Sequence, residues 1–340
     1  MRIATYNVEW FANLFDDAGQ FLDPGGWSGR RDVRRGEQLD ALTTVFRALD
    51  ADAVMVIEAP DAHARRDGVA ALETFAAHAG IRARRALLGF VNETQQEIAL
   101  LYDPDAMTAR HDPQGAPSGK KGSRDAPRFD SVFRYDLDVD REPETVVWSK
   151  PPLEVAVETA SGTALRMIGV HAKSKAPHGA RTPDEIMRVS IENRRKQLAQ
   201  CIWLRQRVEA HLEAGDSLIV LGDFNDGPGL DEYEKLFGRS SVEVVMGEGE
   251  TALYDPHARM AVTRRIAAQP TSARFKVPPD GRYLLALLDY IMISPDLMSK
   301  RPRWRIWNPF EDPDCWSDPA MREALLTASD HFPVTLDIEI

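Results

Sequence analysis

The chain has 340 residues, is 43% apolar and carries a formal net charge of −11. A chain of this size builds a large core without disulfide staples. Its two cysteines, Cys201 and Cys315, form no C-x-x-C pair or Cys/His cluster, which argues against a structural zinc site. A net anion does not bind nucleic acid through bulk charge, so a local basic groove or a compact phosphorylated substrate is left.

Met1 leads straight into a strand-like segment, Arg2-Ile3-Ala4-Thr5-Tyr6-Asn7-Val8, with no apolar signal region. Apolar, β-branched runs predict further strands at 53–57, 97–102, 153–157, 166–170, 218–221, 290–293 and 334–338. Between the first two strands, Leu39, Leu42, Val45, Phe46 and Leu49 recur at helical spacing and predict a helix over 36–49. A second helix is predicted over 67–79. Residues 104–131, rich in Pro, Gly, Lys and Arg, read as an extended surface loop. A long helix over 184–213 opens at Thr182-Pro183-Asp184-Glu185 and is followed by Gly215. Leu218-Ile219-Val220-Leu221 is apolar on both faces, as a central strand covered from both sides must be. Residues 255–286 are irregular and basic, with Arg259, Arg264, Arg265, Arg274, Lys276 and Arg282 against Asp255 and Asp280.

This order of strands and helices predicts a layered α/β or α+β fold. One domain is expected over 1–340, with long loops at about 104–150 and 240–286. No apolar run approaches the ~20 residues that span a bilayer. With so few cysteines, the expected location is the cytoplasm.

Polar residues that suit phosphate chemistry fall at the strand ends. The strand at 218–221 runs into Gly222-Asp223-Phe224-Asn225, and alternation puts Asp223 and Asn225 on one side. Together they offer a proton acceptor and an orienting amide; alone, an Asx turn is the plainer reading. Ser329-Asp330-His331 precedes the last strand, where His331 could move a proton and Asp330 could bind metal. Taken singly, a capped turn with a surface histidine explains it as well. Asp289, inside the run Leu287–Met292, needs a partner if buried, and a histidine is the natural one; at a sheet edge it would face water instead. Glu58 and Asn7 end strands and offer the oxygen ligands a hard cation wants. His171, followed by Lys173 and Lys175, suits an anionic substrate or is a solvated basic turn. Strands lying side by side would bring all these residues to one rim.

In combination, Ala4-Thr5-Tyr6-Asn7-Val8-Glu9, Gly222-Asp223-Phe224-Asn225, Leu288-Asp289-Tyr290 and Ser329-Asp330-His331 resemble the endonuclease/exonuclease/phosphatase superfamily. The resemblance runs over nearly the whole chain. Ser149-Lys150-Pro151-Pro152-Leu153 and His171 with its lysines are similar to the repair-type or secreted bacterial nucleases, which more often have Arg at the place of Lys150. The resemblance implies a four-layer α/β/β/α sandwich of two mixed sheets flanked by helices, with the site at the sheets' top. It implies Mg²⁺ or Mn²⁺ on Glu58, with Asn7 and Asp330 close by. It implies that Asp223 orients or deprotonates water, that Asn225 and His171 contact the phosphate, and that His331 pairs with Asp289. Asn92 is implied as a substrate contact. The chain departs from the pattern before Glu58, where Ile57 replaces the usual Gln.

The expected activity is divalent-metal-dependent phosphodiester hydrolysis. A nuclease acting on DNA leads, with Lys173, Lys175, Arg194, Arg195 and the 255–286 segment along the backbone. A phosphatase or diesterase for a small phosphorylated metabolite or lipid headgroup is the alternative. Trp304 and Trp307, among arginines, are the candidate membrane contacts.

Overall fold

The computed structural model describes residues 1–94, 96–136, 144–230, 232–263, 269–277 and 281–340. Arg264, Arg265 and Asp280 of the basic segment lie outside them.

The first half runs β1 (Arg2–Asn7), α1 (Arg35–Leu49), β2 (Ala53–Ala59), α2 (Gly68–Ala79), β3 (Arg85–Leu88), β4 (Glu97–Tyr102), β5 (Met107–His111), β6 (Phe133–Tyr135), β7 (Glu144–Val146), β8 (Leu153–Thr159) and β9 (Ala164–His171). The second half runs α3 (Pro183–Glu213), β10 (Leu218–Asp223), α4 (Ser241–Met246), α5 (Pro256–Thr263), β11 (Ala273–Val277), β12 (Arg282–Ala286), β13 (Asp289–Ile293), β14 (Arg303–Ile306), α6 (Pro313–Ser317), α7 (Pro319–Ala328) and β15 (Val334–Asp337). One sheet has the order β14-β15-β1-β2-β4-β3, the other β13-β10-β9-β8-β5. Each is mixed. β1 and β2 are parallel, joined across α1, and β9 and β10 are parallel, joined across α3. The remaining pairs are antiparallel.

Alternation along the strands builds the layers. Ile3, Met55, Ile57, Ile98 and Leu100 point from the first sheet into a core shared with Leu153, Val155, Met167 and Leu221 of the second. Gly169 marks a close approach, since a Cβ there would sit 2.4 Å from Met55 Sδ. The other face of the first sheet, with Ala4, Tyr6, Val54 and Val56, is covered by Leu42, Val45 and Phe46 of α1, Leu72 and Phe75 of α2, and Leu325 of α7. On the outer side of the second sheet, α3 contributes Cys201, Trp203, Leu204 and Val208. The architecture is therefore the expected α/β/β/α sandwich. α3 begins as its sequence dictates: Thr182 Oγ1 accepts from the Glu185 amide, and the Glu185 carboxylate accepts from the Thr182 amide.

The segments expected as long loops carry structure of their own. Within 104–150 lie β5, which edges the second sheet, and the small β6–β7 pair. Within 240–286 lie α4, α5 and the β11–β12 hairpin. Their sequences hide this because edge strands and projecting hairpins bury little; four of the five β12 residues are exposed. Trp304 and Trp307 are packing residues. The Trp304 indole donates to Ile291 O at 2.7 Å, and Trp307 donates to Thr335 Oγ1 at 3.1 Å from a buried position. No helix among the described residues is long and apolar enough to cross a membrane.

Candidate active site

Sheet register does the gathering. β10 pairs with β9 so that Asp223 stands beside His171, and with β13 so that Asp223 stands beside Asp289. Three ionisable residues thus form one row at the ends of three adjacent strands. Gly222 fits because the backbone there takes φ +138° and a Cβ would lie 2.0 Å from Val170 O. In the first sheet, Asn7 ends β1, and the β2–β4 ladder shifts register between Ile57 and Ala59. That bulge turns Glu58 out at φ +61°. Asn225 is also left-handed, at φ +50°, and two such non-glycine residues at one site are strain that the surrounding fold must hold.

Hydrogen bonds from neighbouring side chains hold the two acids of the row. Asp223 Oδ1 accepts from the Asn225 amide at 2.8 Å, and Oδ2 accepts from Asn7 Nδ2 and Asn225 Nδ2, each at 3.1 Å. Asp289 Oδ2 lies 2.8 Å from His331 Nδ1 and accepts from Ser272 Oγ at 2.7 Å. The other imidazole nitrogen of His331 is 3.9 Å from Asp223 Oδ2. Burial opposes charge on His331, but the flanking carboxylates of Asp289 and Asp223 outweigh it and hold its pKa well above the ordinary value. Burial pushes the Asp223 carboxyl up to about 7, with Asp289 adding to the rise and His331 opposing it. His171 goes the other way: burial, then Lys150 and His331, hold it well below the usual imidazole range. His331 is thus the cationic histidine and His171 the neutral one. Tyr6 and Phe224, both fully buried, fill the layer beneath.

The second cluster is open and acidic. Glu58 Oε1 is 3.9 Å from His171 Nε2, which lies 3.1 Å from Lys150 Nζ. Burial raises the Glu58 carboxyl, and Asp330 raises it further against the pull of Lys150 and His331. Glu9 is pushed up to about 7 by burial, with Asp330 and Glu58 adding repulsion. Asn7 Oδ1 is buried without a hydrogen-bond partner among the described residues. Glu58, with Asp330 near enough to raise its carboxyl, and the Asn7 amide oxygen are oxygen donors of the kind a divalent cation takes. Asp223, Asp289 and His331 also bring ligand-type atoms within 4.8 Å of one another. Of these, Asp223 Oδ1 and Oδ2 and Asp289 Oδ2 accept hydrogen bonds, while Asp289 Oδ1, like Asn7 Oδ1, is buried without a partner among the described residues.

Five residues expected at the substrate have partners within the protein. The Asn225 side-chain Nδ2 donates to Asp223 and to Ala172 O. Asn92 is folded into its own turn, donating to Glu97 and to Gln96 O and accepting from the Thr94 amide at 2.8 Å. Lys175 pairs with the buried Asp226, which Arg194 approaches at 3.7 Å, and Arg195 pairs with Glu144 at 2.9 Å. Lys173 makes no ion pair among the described residues, and burial and Lys196 lower its pKa. Sequence reasoning gave no role to Lys150, Ser272, Glu9 or Gln96, whose side-chain amide donates to Glu58 Oε2 at 2.6 Å. The Ser149-Lys150-Pro151 motif was a signal for the first. Nothing local marks Gln96, which reaches Glu58 across the β2–β4 ladder in a chain that has Ile57 where Gln is usual.

The sequence model described as the Endonuclease/Exonuclease/phosphatase family matches residues 4–331. The chain belongs to this family. Its coarse chemistry, hydrolysis of phosphate esters by enzymes that generally depend on a divalent metal, follows from that membership. Among solved structures, TDP2 from Caenorhabditis elegans is similar at 12% identity and a TM-score of 0.54, over 100% of this chain and 75% of that one. An endonuclease/exonuclease/phosphatase family protein from Bacteroides thetaiotaomicron is similar at 13% identity and a TM-score of 0.51, over 99% and 93% of the two chains. At such identities the likeness is one of fold. No curated protein matches the sequence.

Proposed function

We propose that this chain is a Mg²⁺- or Mn²⁺-dependent phosphodiesterase, a nuclease acting on DNA, with residues 1–340 serving as one catalytic domain. The observation that carries the reading is the juxtaposition of a closed Asp289–His331–Asp223–His171 row with an open Glu58–Asn7–Asp330 donor set.

A divalent ion there would supply charge neutralisation at the phosphate and at the leaving oxygen. Asp223, held by Asn7 and Asn225, accepts a proton from the attacking water, and a carboxyl poised near neutrality suits that task. Cationic His331 donates toward a phosphate oxygen, with Asp289 fixing its tautomer through Nδ1. Neutral His171 and Lys150 face the same phosphate from β9 and the turn before β8. Asn225 acts by orienting Asp223. Lys173 remains the backbone-contacting lysine, while Lys175 is a structural partner of Asp226. We also propose a cytoplasmic location, which two free, buried cysteines suit.

Hydrolysis of plasmid and single-stranded DNA with Mg²⁺, Mn²⁺ or EDTA tests the reading. Metal-dependent cleavage, lowered on the order of 10²–10³ in Asp223→Ala and His331→Ala, is expected. Full activity in either variant refutes the assignment.

One observation favours a small phosphoester instead. Lys175, Arg194 and Arg195 neutralise carboxylates of the protein itself, which depletes the basic track on a chain of net charge −11. Salt decides: turnover of a polymer falls steeply as salt rises, and turnover of a small ester does not.

A further inference from the structure

The β11–β12 hairpin is rooted in the site. Ala273 bridges His331, the Arg274 amide donates to Asp330 O at 2.7 Å, and the Phe332 amide donates to Ser272 O at 2.6 Å. Ser272 sends its hydroxyl to Asp289. Strand alternation puts Arg274 and Lys276 on the face that carries Ser272. Cross-strand pairing adds Leu285, opposite Arg274, and Tyr283, opposite Lys276, to that face. The opposite face, with Ala273 and Ala286, packs on Leu288 and Leu230 and anchors the hairpin.

On the free face the Arg274 guanidinium lies 3.4 Å from the centre of the Tyr283 ring and 5.1 Å from that of Phe310. Lys276 Nζ is 5.5 Å from the same tyrosine ring. The rings are open to solvent, Tyr283 at 48% and Phe310 at 41%. The Phe310 loop is itself fixed to the hairpin root: Asn308 donates to Thr271 O at 2.9 Å, and Glu311 accepts from the Thr271 hydroxyl at 2.7 Å. Arg274 makes no ion pair with any carboxylate among the described residues. Two exposed rings with Arg274 against both and Lys276 beside one, on a hairpin whose root touches Asp289 and Asp330, match a nucleotide: a flat ring to stack and a phosphate to neutralise.

We infer that the Arg274–Tyr283–Phe310 stack seats an unpaired nucleobase beside the scissile phosphate, making single-stranded nucleic acid the substrate class of this site. The inference rests on the phosphodiesterase reading above and narrows it. A duplex keeps its bases inside the stack, so aromatic rings on a rim hold only a base that is free. Duplex tracking would need a broad cationic surface, and the net charge of −11 with Lys175, Arg194 and Arg195 internally paired provides little of one.

The test is fluorescence anisotropy of the full chain in EDTA with three short labelled DNAs: a single strand, the same strand with abasic sites, and the duplex. The expected result is a preference of about tenfold or more for the base-bearing strand over the abasic one. Tyr283→Ala and Phe310→Ala each erase most of that preference. Equal affinity for the two strands, tighter binding of the duplex, or a preference retained in both variants would overturn the inference. Turnover of bis(p-nitrophenyl) phosphate with Mg²⁺ is read alongside. Its absence in the wild type would sink the phosphodiesterase reading, while a base preference that survived would still support the seat.

Discussion

The two halves of the site are built on opposite principles. The second sheet contributes His171, Asp223 and Asp289, side by side in register and almost fully buried, with His331 locked between two of them. The first sheet and its neighbouring turn contribute Glu58, Asn7 and Asp330, where a bulge holds one carboxylate outward and an amide oxygen has no partner. The first group is held mainly by its own contacts, with Asp289 Oδ1 and His171 Nδ1 left unpartnered among the described residues. In the second, Asp330 raises the carboxyls of Glu58 and Glu9, so on the proposed reading it is the half that gains from a cation. Removing a member of the row should therefore damage the fold's own network, whereas removing a member of the acidic set should relieve strain while weakening metal use.

The largest effect is expected from Asp289→Asn. Asparagine keeps the shape but no longer stabilises an imidazolium, and His331 can take the wrong tautomer. Turnover should fall about as far as in His331→Ala, on the order of 10²–10³, with little change in substrate affinity. Steady-state kinetics on DNA and on a chromogenic diester check it. A loss of less than tenfold would show that the closed row is architecture.

Glu58→Gln should read out the other half. The Mg²⁺ concentration giving half-maximal activity should rise on the order of 100-fold. The sign for stability is opposite. Burial raises the Glu58 carboxyl in the folded state, so ionising it costs the fold at neutral pH, and the glutamine variant should melt higher than wild type in EDTA. A variant that melts lower, with an unchanged metal requirement, would remove Glu58 from the donor set.

Much of this arrangement was legible in the sequence. Strands such as β2, β9 and β10 announced themselves because they are buried on both faces, and their polar terminal residues then stood out. α1, α2 and α3 declared themselves by period and by the Thr182 cap. β5, β11 and β12 did not, because an edge or a projecting hairpin leaves no apolar period to read. Site residues with partners on distant strands were equally opaque. Lys175 looks like a phosphate ligand until Asp226 is seen beneath it, and Ser272 looks inert until the hairpin brings it to Asp289.

Lys175 makes that point testable. Asp226 is fully buried, and once the lysine is lost Arg194, at 3.7 Å, is its remaining ion-pair partner among the described residues. Lys175→Met should destabilise the protein by about 3 kcal/mol, at the low end for a broken buried pair. Urea unfolding measures it, and the folded fraction should keep its turnover. Normal stability with a collapsed turnover would return Lys175 to the substrate.

Glu97 gives a pH-dependent counterpart. It is buried beside Asn92, and burial pushes its carboxyl up to about 7 against the hydrogen bonds from Asn92. A raised carboxyl favours the fold while protonated, so its contribution is present below the unfolded value of about 4.3 and is lost as pH climbs through about 7. Melting wild type and Glu97→Gln from pH 4 to 8 should show the variant gaining on wild type across that window and no further above it. Parallel curves would mean that Glu97 titrates as an ordinary surface acid.

The smallest effect belongs to Lys173, which sits next to the row but makes no ion pair among the described residues. If it touches substrate only through the phosphate backbone, Lys173→Ala should raise the KM for DNA a fewfold and leave stability unchanged. It should also reduce the slope of log affinity against log salt by about 1. The salt slope is the discriminating reading: a contact to a phosphate releases a counterion, whereas a lysine that merely tunes His171 or Lys150 through space would change turnover and its pH profile at constant slope. An unchanged slope together with lower turnover would therefore move Lys173 from the substrate track into the electrostatics of the closed row.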